Sequence, residues 1–168
     1  MTQRRTLIVM RHAKAEPFAP SDHARALTDR GRSEATAAGE HLAAAGLRPD
    51  HVVVSSASRT VETWDVMAQV ADCDVQATVD EALYHGNPDA VLESLRLSPE
   101  DASVVLFVGH NPTASYLCHL LDDGEGEAVA LEGLLRGFPT GALAVFEVAQ
   151  PWSDLAYESG RLVGFFAR

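Results

Sequence analysis

The chain has 168 residues, a length typical of one domain. Its composition, 46% hydrophobic and 22% charged, is ordinary for a globular protein, and we expect a single domain over residues 1–168. The net charge of −11 argues against nucleic acid as a main partner, because phosphate backbones are bound by basic stripes, and it gives no support to an anionic membrane surface.

The N-terminal segment and the cysteines predict a cytoplasmic protein. The apolar run at residues 7–10 is too short for the core of a signal peptide, and charge follows it at once. No segment approaches the ~20 apolar residues of a membrane span. Cys73 and Cys118 fit no metal or redox spacing and are expected to be free thiols in a reducing compartment.

In the first half of the chain, apolar runs alternate with helical patterns. A buried strand is predicted at residues 7–10, and a polar loop that contains proline extends to about residue 27. A helix at 28–45 ends before Gly46. A second strand covers 51–54, and Ser58 is a plausible N-cap for a helix to about residue 70. A short strand is predicted at 75–79.

In the second half, two Asn-Pro pairs mark the starts of helices. Asn87 is predicted to cap a helix that has Pro88 in its first turn and ends near residue 97. The most hydrophobic strand is predicted at 104–108, and Asn111-Pro112 opens a helix to about residue 121. An acidic loop at 122–127 precedes two late strands, at 142–148 and 162–166. This alternation predicts an α/β fold with a mostly parallel sheet covered by helices on both faces. The late strands, with no clear helix between them, could pair antiparallel at an edge.

Basic side chains follow three of the predicted strands. Arg11 and His12 follow the first, Arg59 follows the second, and His110 follows the strand at 104–108. In open α/β sheets, ligands bind beyond the carboxyl ends of the strands, so we expect these side chains on one rim. Arg59 also lies in the first turn of its helix, where free N–H groups favour anions.

These residue types suit phosphoryl transfer. Guanidinium groups bind phosphate oxygens in a bidentate way and stabilise the charge of the transition state. A neutral imidazole can act as a nucleophile and form a covalent intermediate, while a second imidazole donates to a phosphoryl oxygen. With two arginines and two histidines present, no metal ion and no cofactor is expected.

Three segments resemble the motifs of one known family. LIVMRHAKAE, SSASRTVET and VGHNP are similar to the signature strand and loop, the second arginine motif and the second histidine motif of the histidine phosphatase (phosphoglycerate mutase-like) superfamily. ALTDRG resembles a segment of its compact SixA-type phosphohistidine phosphatases. The resemblance implies a three-layer αβα sandwich, His12 as the phosphorylated nucleophile, and a phosphate pocket of Arg11, Arg59 and His110.

Two further residues are candidates with an open role. Glu81 lies where larger relatives of this superfamily carry an acid for the leaving group, but it could equally be a solvated loop carboxylate. Lys14, the only lysine of the chain, could bind substrate at the pocket mouth or be there by chance. His85 follows Glu81 closely and could overhang the site.

The sequence therefore predicts a phosphatase that acts on phosphohistidine in a phosphorylated protein. The alternative is hydrolysis of small phosphomonoesters or sugar phosphates at the same site. A module that binds phosphorylated partners without turnover is disfavoured by the presence of both arginines and both histidines. A metal hydrolase is disfavoured because the chain has no H-E-x-x-H or comparable ligand spacing.

Overall fold

The computed structural model describes residues 3–168 and contains one six-stranded sheet. The strands are β1 (Arg5–Arg11), β2 (His51–Ser55), β3 (Thr78–Asp80), β4 (Val104–Gly109), β5 (Leu143–Val148) and β6 (Gly160–Phe166). Their order across the sheet is β3-β2-β4-β1-β5-β6. The pairs among β1 to β4 are parallel, whereas β5 and β6 join the β1 edge antiparallel. The predicted mostly parallel sheet is confirmed.

Helices cover both faces of the sheet. They are α1 (Asp29–Ala44), α2 (Ser58–Val70), α3 (Pro88–Arg96), α4 (Thr113–Leu121) and α5 (Ala128–Leu135). One core cluster packs α1 and α2 against alternate strand residues such as Ile8 and Val54. The other packs α3, α4 and α5 against the intervening residues, such as Leu7 and Val53. Because successive side chains of a strand point to opposite faces, these two cores define the expected three-layer sandwich.

Side-chain caps fix two of the helix starts. Thr28 Oγ1 accepts a hydrogen bond from Gly31 N at 2.9 Å, which satisfies a free donor in the first turn of α1. Asn87 Oδ1 accepts from Ala90 N at 3.0 Å, with Pro88 as the first helical residue of α3. The predicted starts of both helices are confirmed. Within residues 3–168, none of the helices has the length and apolar character that a membrane span needs.

Two predicted helix starts are wrong. Ser58 lies inside α2, and the capping position is Ala57, which has an extended backbone and makes no side-chain cap. The helix opened by Asn111 and Pro112 begins at Thr113, although Asn111 Oδ1 still accepts from Ser115 N at 3.3 Å. Asn111 Nδ2 also donates to the carbonyl oxygen of Phe138 at 2.8 Å.

Two other elements also differ from the prediction. The third strand is Thr78–Asp80 rather than 75–79, because the carbonyl of Val75 accepts from Trp64 Nε1 at 3.2 Å, outside the ladder. Helix α5 was not predicted from the sequence, because its eight residues have no capping side chain to mark their start. Gly133 allows this helix to approach β6: a Cβ there would lie 2.5 Å from Cδ1 of Phe165.

Candidate active site

A cavity of about 470 Å³ opens at the carboxyl ends of the parallel strands. It lies beside the ends of β1 and β4 and the start of α2. The residues that line it are Arg11, His12, Lys14, Ala15, Asp22, Arg25, Arg59, Tyr84, His85, His110, Asn111 and Thr140. The structure thus brings together the two arginines and two histidines expected on one rim. We call Arg11, His12, Arg59 and His110 the floor of the pocket.

His12 is buried in a fixed orientation at the end of β1. Its backbone N–H donates to Gly109 O at 2.9 Å, and its side chain is close to fully buried. Its Nδ1 lies 2.7 Å from the carbonyl oxygen of Ala13. Since a carbonyl oxygen can only accept, Nδ1 carries the proton and donates it. The other ring nitrogen, Nε2, therefore keeps a lone pair that can attack an electrophile.

The surroundings of His12 keep its ring neutral. Burial is the main cause that lowers its pKa to about 4, and the charges of Arg59, Arg11 and Arg25 lower it further. The hydrogen bond to Ala13 acts in the opposite direction. An imidazole with this pKa is unprotonated at neutral pH, which is the state that a nucleophile requires.

His110 faces His12 across the floor. The two ring centroids are 5.3 Å apart, and His110 Nε2 lies 2.7 Å from Ser55 Oγ. Burial, together with the neighbouring His12 and Arg59, lowers the pKa of His110 to about 3. When the Ser55 hydroxyl donates to Nε2, the proton of the neutral ring is on Nδ1. That nitrogen is then a donor for an oxygen of a bound group.

The two arginines place guanidinium donors on the floor. Arg59 is 6% exposed, and its Nη1 and Nη2 donate to the backbone and carboxylate oxygens of Asp22 at 3.0 and 3.3 Å. Arg11 Nη1 donates to Phe138 O at 3.2 Å. Within residues 3–168, the buried Nε atoms of both arginines have no hydrogen-bond partner. Buried donors without partners on two cations are suited to an anion with several oxygens.

A buried carboxylate holds the loop that carries His12. Glu34, which is 6% exposed, accepts from Lys14 N at 2.9 Å and from Thr140 Oγ1 at 3.2 Å. Gly31 lets α1 approach the same loop, because a Cβ there would lie 2.0 Å from Lys14 O. The segment ALTDRG therefore serves to press α1 against the backbone next to His12.

The outer part of the pocket is built by loops. We call Lys14, Asp22, Arg25, Tyr84 and His85 the mouth; Lys14, Asp22 and His85 are exposed. Asp22 Oδ1 accepts from Arg25 Nε at 3.0 Å, and its other oxygen accepts from Arg59 and from the Tyr84 hydroxyl. The Tyr84 hydrogen bond and the charges of Arg59 and Arg25 hold the pKa of Asp22 at about 2. Asp22 is thus an anion that joins one loop of the mouth to the floor and to the other loop.

Of the three sequence candidates with an open role, two line the pocket and one does not. Lys14 and His85 line the pocket, as their positions suggested. Glu81 is exposed on a 3-10 turn (Glu81–Leu83) and is not among the lining residues. A proton donor must come within hydrogen-bond reach of the leaving group, and the acid role of Glu81 stays a prediction.

Sequence reasoning missed Asp22, Arg25, Tyr84, Asn111 and Thr140 as pocket residues. Only Asn111 stood inside a recognised motif, and there it was interpreted as a helix cap. The others lie on loops whose path the strand and helix pattern does not fix. Within residues 3–168, no group of three or more His, Cys, Asp or Glu side chains is placed to hold a metal ion.

Comparison with known proteins identifies the family of this chain. Residues 7–85 match the histidine phosphatase superfamily (branch 1). An uncharacterised protein of Mycobacterium tuberculosis is 37% identical over 158 residues, which cover 93% of this chain and 98% of that protein. The chain belongs to the histidine phosphatase superfamily, and it is a phosphatase.

Solved structures identify the branch of the superfamily to which the chain belongs. A protein of Nakamurella multipartitia that is assigned as the phosphohistidine phosphatase SixA has 35% identity and a TM-score of 0.85, over 98% of this chain and 96% of its own. A protein of Agrobacterium tumefaciens with the same assignment has 27% identity and a TM-score of 0.79, over 100% and 99% of the two chains. The chain is accordingly a member of the SixA-type branch.

Proposed function

We propose that this chain hydrolyses phosphohistidine on a phosphorylated protein, through a covalent intermediate on His12. The observation that carries the proposal is the state of the His12 ring. Its Nδ1–H is held by Ala13 O at 2.7 Å, so Nε2 has a free lone pair inside a pocket that also holds Arg11 and the buried Arg59.

In the first step, His12 Nε2 attacks phosphorus and forms a P–N bond. The bond from phosphorus to the leaving nitrogen breaks, and its electron pair stays on that nitrogen. Arg11 and Arg59 bind the phosphoryl oxygens, and His110 donates from Nδ1 to one of them as charge builds. Their charge and donors stabilise the transition state.

In the second step, water attacks phosphorus and His12 leaves. The P–Nε2 bond breaks, its electron pair returns to Nε2, and the products are dihydrogen phosphate and the original ring. The Nδ1 proton, held by the Ala13 carbonyl, makes this possible, because the ring then departs as neutral imidazole and not as the strongly basic imidazolate. No group of the pocket other than the ring changes its covalent state.

The shape of the pocket supports a protein side chain as substrate. His12 and Arg59 are buried, whereas Asp22, Lys14 and His85 at the mouth are exposed. An imidazole that projects from a protein surface can reach such a pocket from solvent. We extend the name of the SixA-type branch, phosphohistidine phosphatase, to this chain on that basis.

A second candidate is hydrolysis of small phosphomonoesters or sugar phosphates. Lys14, an exposed cation at the mouth, is the observation that favours it, since a lysine could bind an acidic group of a metabolite. The floor would perform the same chemistry, but the leaving oxygen would need a proton more than an imidazole does.

The test compares the two substrate classes directly. The protein is incubated with a phosphohistidine peptide, 4-nitrophenyl phosphate, sugar phosphates and 3-phosphoglycerate, and release of inorganic phosphate is followed for each. We expect kcat/KM for the phosphohistidine peptide to exceed that of every ester by at least ~10-fold, about 1.4 kcal/mol in transition-state binding. Efficient turnover of an ester with none of the peptide would reject the phosphohistidine proposal.

A further inference from the structure

Asp22 is the one carboxylate among the residues that line the pocket. All other charged lining residues are cations or histidines. An anion beside two phosphate-binding arginines opposes the binding of phosphate, so its presence calls for a function. Neither the attack by His12 nor the hydrolysis of the intermediate uses it.

The position of Asp22 places it on the side where the leaving group departs. Its side chain is 57% exposed, whereas that of Arg59, its partner on the floor, is 7% exposed. In-line displacement requires the leaving group to lie opposite the attacking His12 Nε2 across phosphorus. Since His12 lies at the floor, the leaving group points to the mouth, where Asp22 lies.

Asp22 retains its charge beside a leaving group. The Tyr84 hydrogen bond, with Arg59 and Arg25, keeps its pKa at about 2, so it is an anion throughout the neutral range. The other charged or titratable groups of the mouth are Lys14 and His85. Arg25 and Arg59 are each paired with Asp22, at 3.0 and 3.3 Å.

Phosphohistidine has a leaving group that an anion would assist. Its ring departs as neutral imidazole only when the nitrogen remote from phosphorus carries a proton, as Nδ1 of His12 does in the second step. A carboxylate favours this protonated, cationic ring and can accept its N–H. The Ala13 carbonyl holds the corresponding proton of His12 on the other side of the phosphoryl group.

We propose that Asp22 determines the specificity of this site for the leaving group. Its carboxylate favours leaving groups that are cationic or donate a hydrogen bond, a protonated phosphoimidazole above all. It disfavours esters whose leaving group carries a carboxylate or a second phosphate. The identity of the natural substrate in this inference rests on the proposed function. The preference of Asp22 for the charge of the leaving group does not depend on it.

The test uses Asp22→Asn, which keeps the size of the side chain and an oxygen that can accept from Arg59 and Tyr84. The matched control is Asp101→Asn, which makes the same change of charge at an exposed position ahead of β4, outside the pocket lining. Three probes are used: a phosphohistidine peptide, O-phosphoethanolamine with a cationic leaving group, and 3-phosphoglycerate with an anionic one. Each is measured as a substrate and as a competitive inhibitor of 4-nitrophenyl phosphate hydrolysis.

We expect Asp22→Asn to lower kcat/KM for the peptide and for phosphoethanolamine and to raise it for 3-phosphoglycerate. The ratio between the cationic and the anionic ester should fall at least ~10-fold, as for the loss of one charge within a few ångströms at a partly exposed site. The competitive inhibition constants should rise for the peptide and for phosphoethanolamine and fall for 3-phosphoglycerate, and Asp101→Asn should leave the ratio unchanged.

An equal loss on all three probes would overturn the inference, because it would mean that Asp22 only positions Arg59. No change on any probe would overturn it too. The ester pair separates this result from the proposed function. If wild-type protein fails on the phosphohistidine peptide but the ester ratio still shifts, the substrate proposal fails and the charge preference of Asp22 stands.

Discussion

The floor and the mouth of the pocket are built in different ways. Floor residues follow strands or start a helix, are largely buried, and are held by short hydrogen bonds such as His12 Nδ1 to Ala13 O at 2.7 Å and His110 Nε2 to Ser55 Oγ at 2.7 Å. Mouth residues lie on loops, and the exposed Asp22 joins them by its contacts with Arg25 and Tyr84.

From this difference we expect the floor to perform the phosphoryl-transfer chemistry and the mouth to determine which substrates are accepted. A rigid floor keeps the proposed nucleophile neutral and the proposed phosphate donors in place, which any phosphoryl substrate needs. The loops of the mouth meet only the part of the substrate that varies. Changes at the floor should therefore affect all substrates alike, and changes at the mouth should affect them unequally.

Removal of the nucleophile should have the largest effect. We expect His12→Ala to lower the rate at least ~10³-fold on every substrate, because the covalent step is lost. His119→Ala is the control: this histidine is exposed on α4 and lies outside the pocket lining. Phosphate release is measured for both, and similar thermal unfolding would show that both fold. Substantial activity in His12→Ala would contradict the proposal that the reaction takes place at the floor.

A change of donor geometry on the floor should have the next largest effect. Arg59→Lys keeps the charge but loses the planar fork and the buried Nε. We expect a loss of at least ~10-fold, about 1.4 kcal/mol of transition-state stabilisation, equal across substrates. Arg161→Lys, at an exposed position of β6, serves as the control. A near-normal rate would show that Arg59 contributes only charge at a distance.

The neutrality of the floor histidines can be measured by NMR. Because the pKa of His12 is about 4 and that of His110 about 3, we expect both rings to remain unprotonated from about pH 7.5 to about pH 5.5. In the unfolded chain both rings return to their ordinary pKa near 6.5. Below about pH 6.5 the unfolded chain therefore binds more protons than the folded protein. The free energy of unfolding should therefore decrease as the pH falls from about 6.5 toward 4. A midpoint near 6.5 for His12 in the folded protein would contradict a buried neutral nucleophile.

The smallest effect is expected at Glu81. The residue is exposed and does not line the pocket, so Glu81→Gln should change rates by no more than about twofold on phosphohistidine and on alkyl phosphates. General acid catalysis contributes about 10²–10⁴-fold where a leaving group depends on it. A loss of that size on alkyl phosphates alone would restore Glu81 as their proton donor.

The floor was predictable from sequence, whereas at the mouth only Lys14 and His85 were. Arg11, His12 and His110 come directly after apolar runs that can only be buried strands, and the ends of parallel strands meet at one edge. Arg59 was predictable because its helix starts just after β2. The position of such residues depends on the sheet, which the hydrophobic pattern specifies.

Asp22 shows why the rest of the mouth could not be predicted. It lies 62 positions from Tyr84, on a loop with no periodic pattern, and its Oδ2 accepts from both Tyr84 and Arg59. Glu34 was missed for a similar reason, since a carboxylate within a helix normally faces solvent. Glu34 is buried because it accepts hydrogen bonds from two loops, those of Lys14 and Thr140. The position of neither loop can be predicted from local sequence.

The most direct test of the mechanism is to trap the intermediate. Protein is mixed with a phosphohistidine peptide, quenched in alkali within the turnover time, and digested for mass spectrometry. We expect acid-labile phosphate on His12 in the wild-type protein, the same result in His119→Ala, and none at that position in His12→Ala. Phosphate on another residue, or steady turnover with no phosphorylated protein at any quench time, would contradict the account.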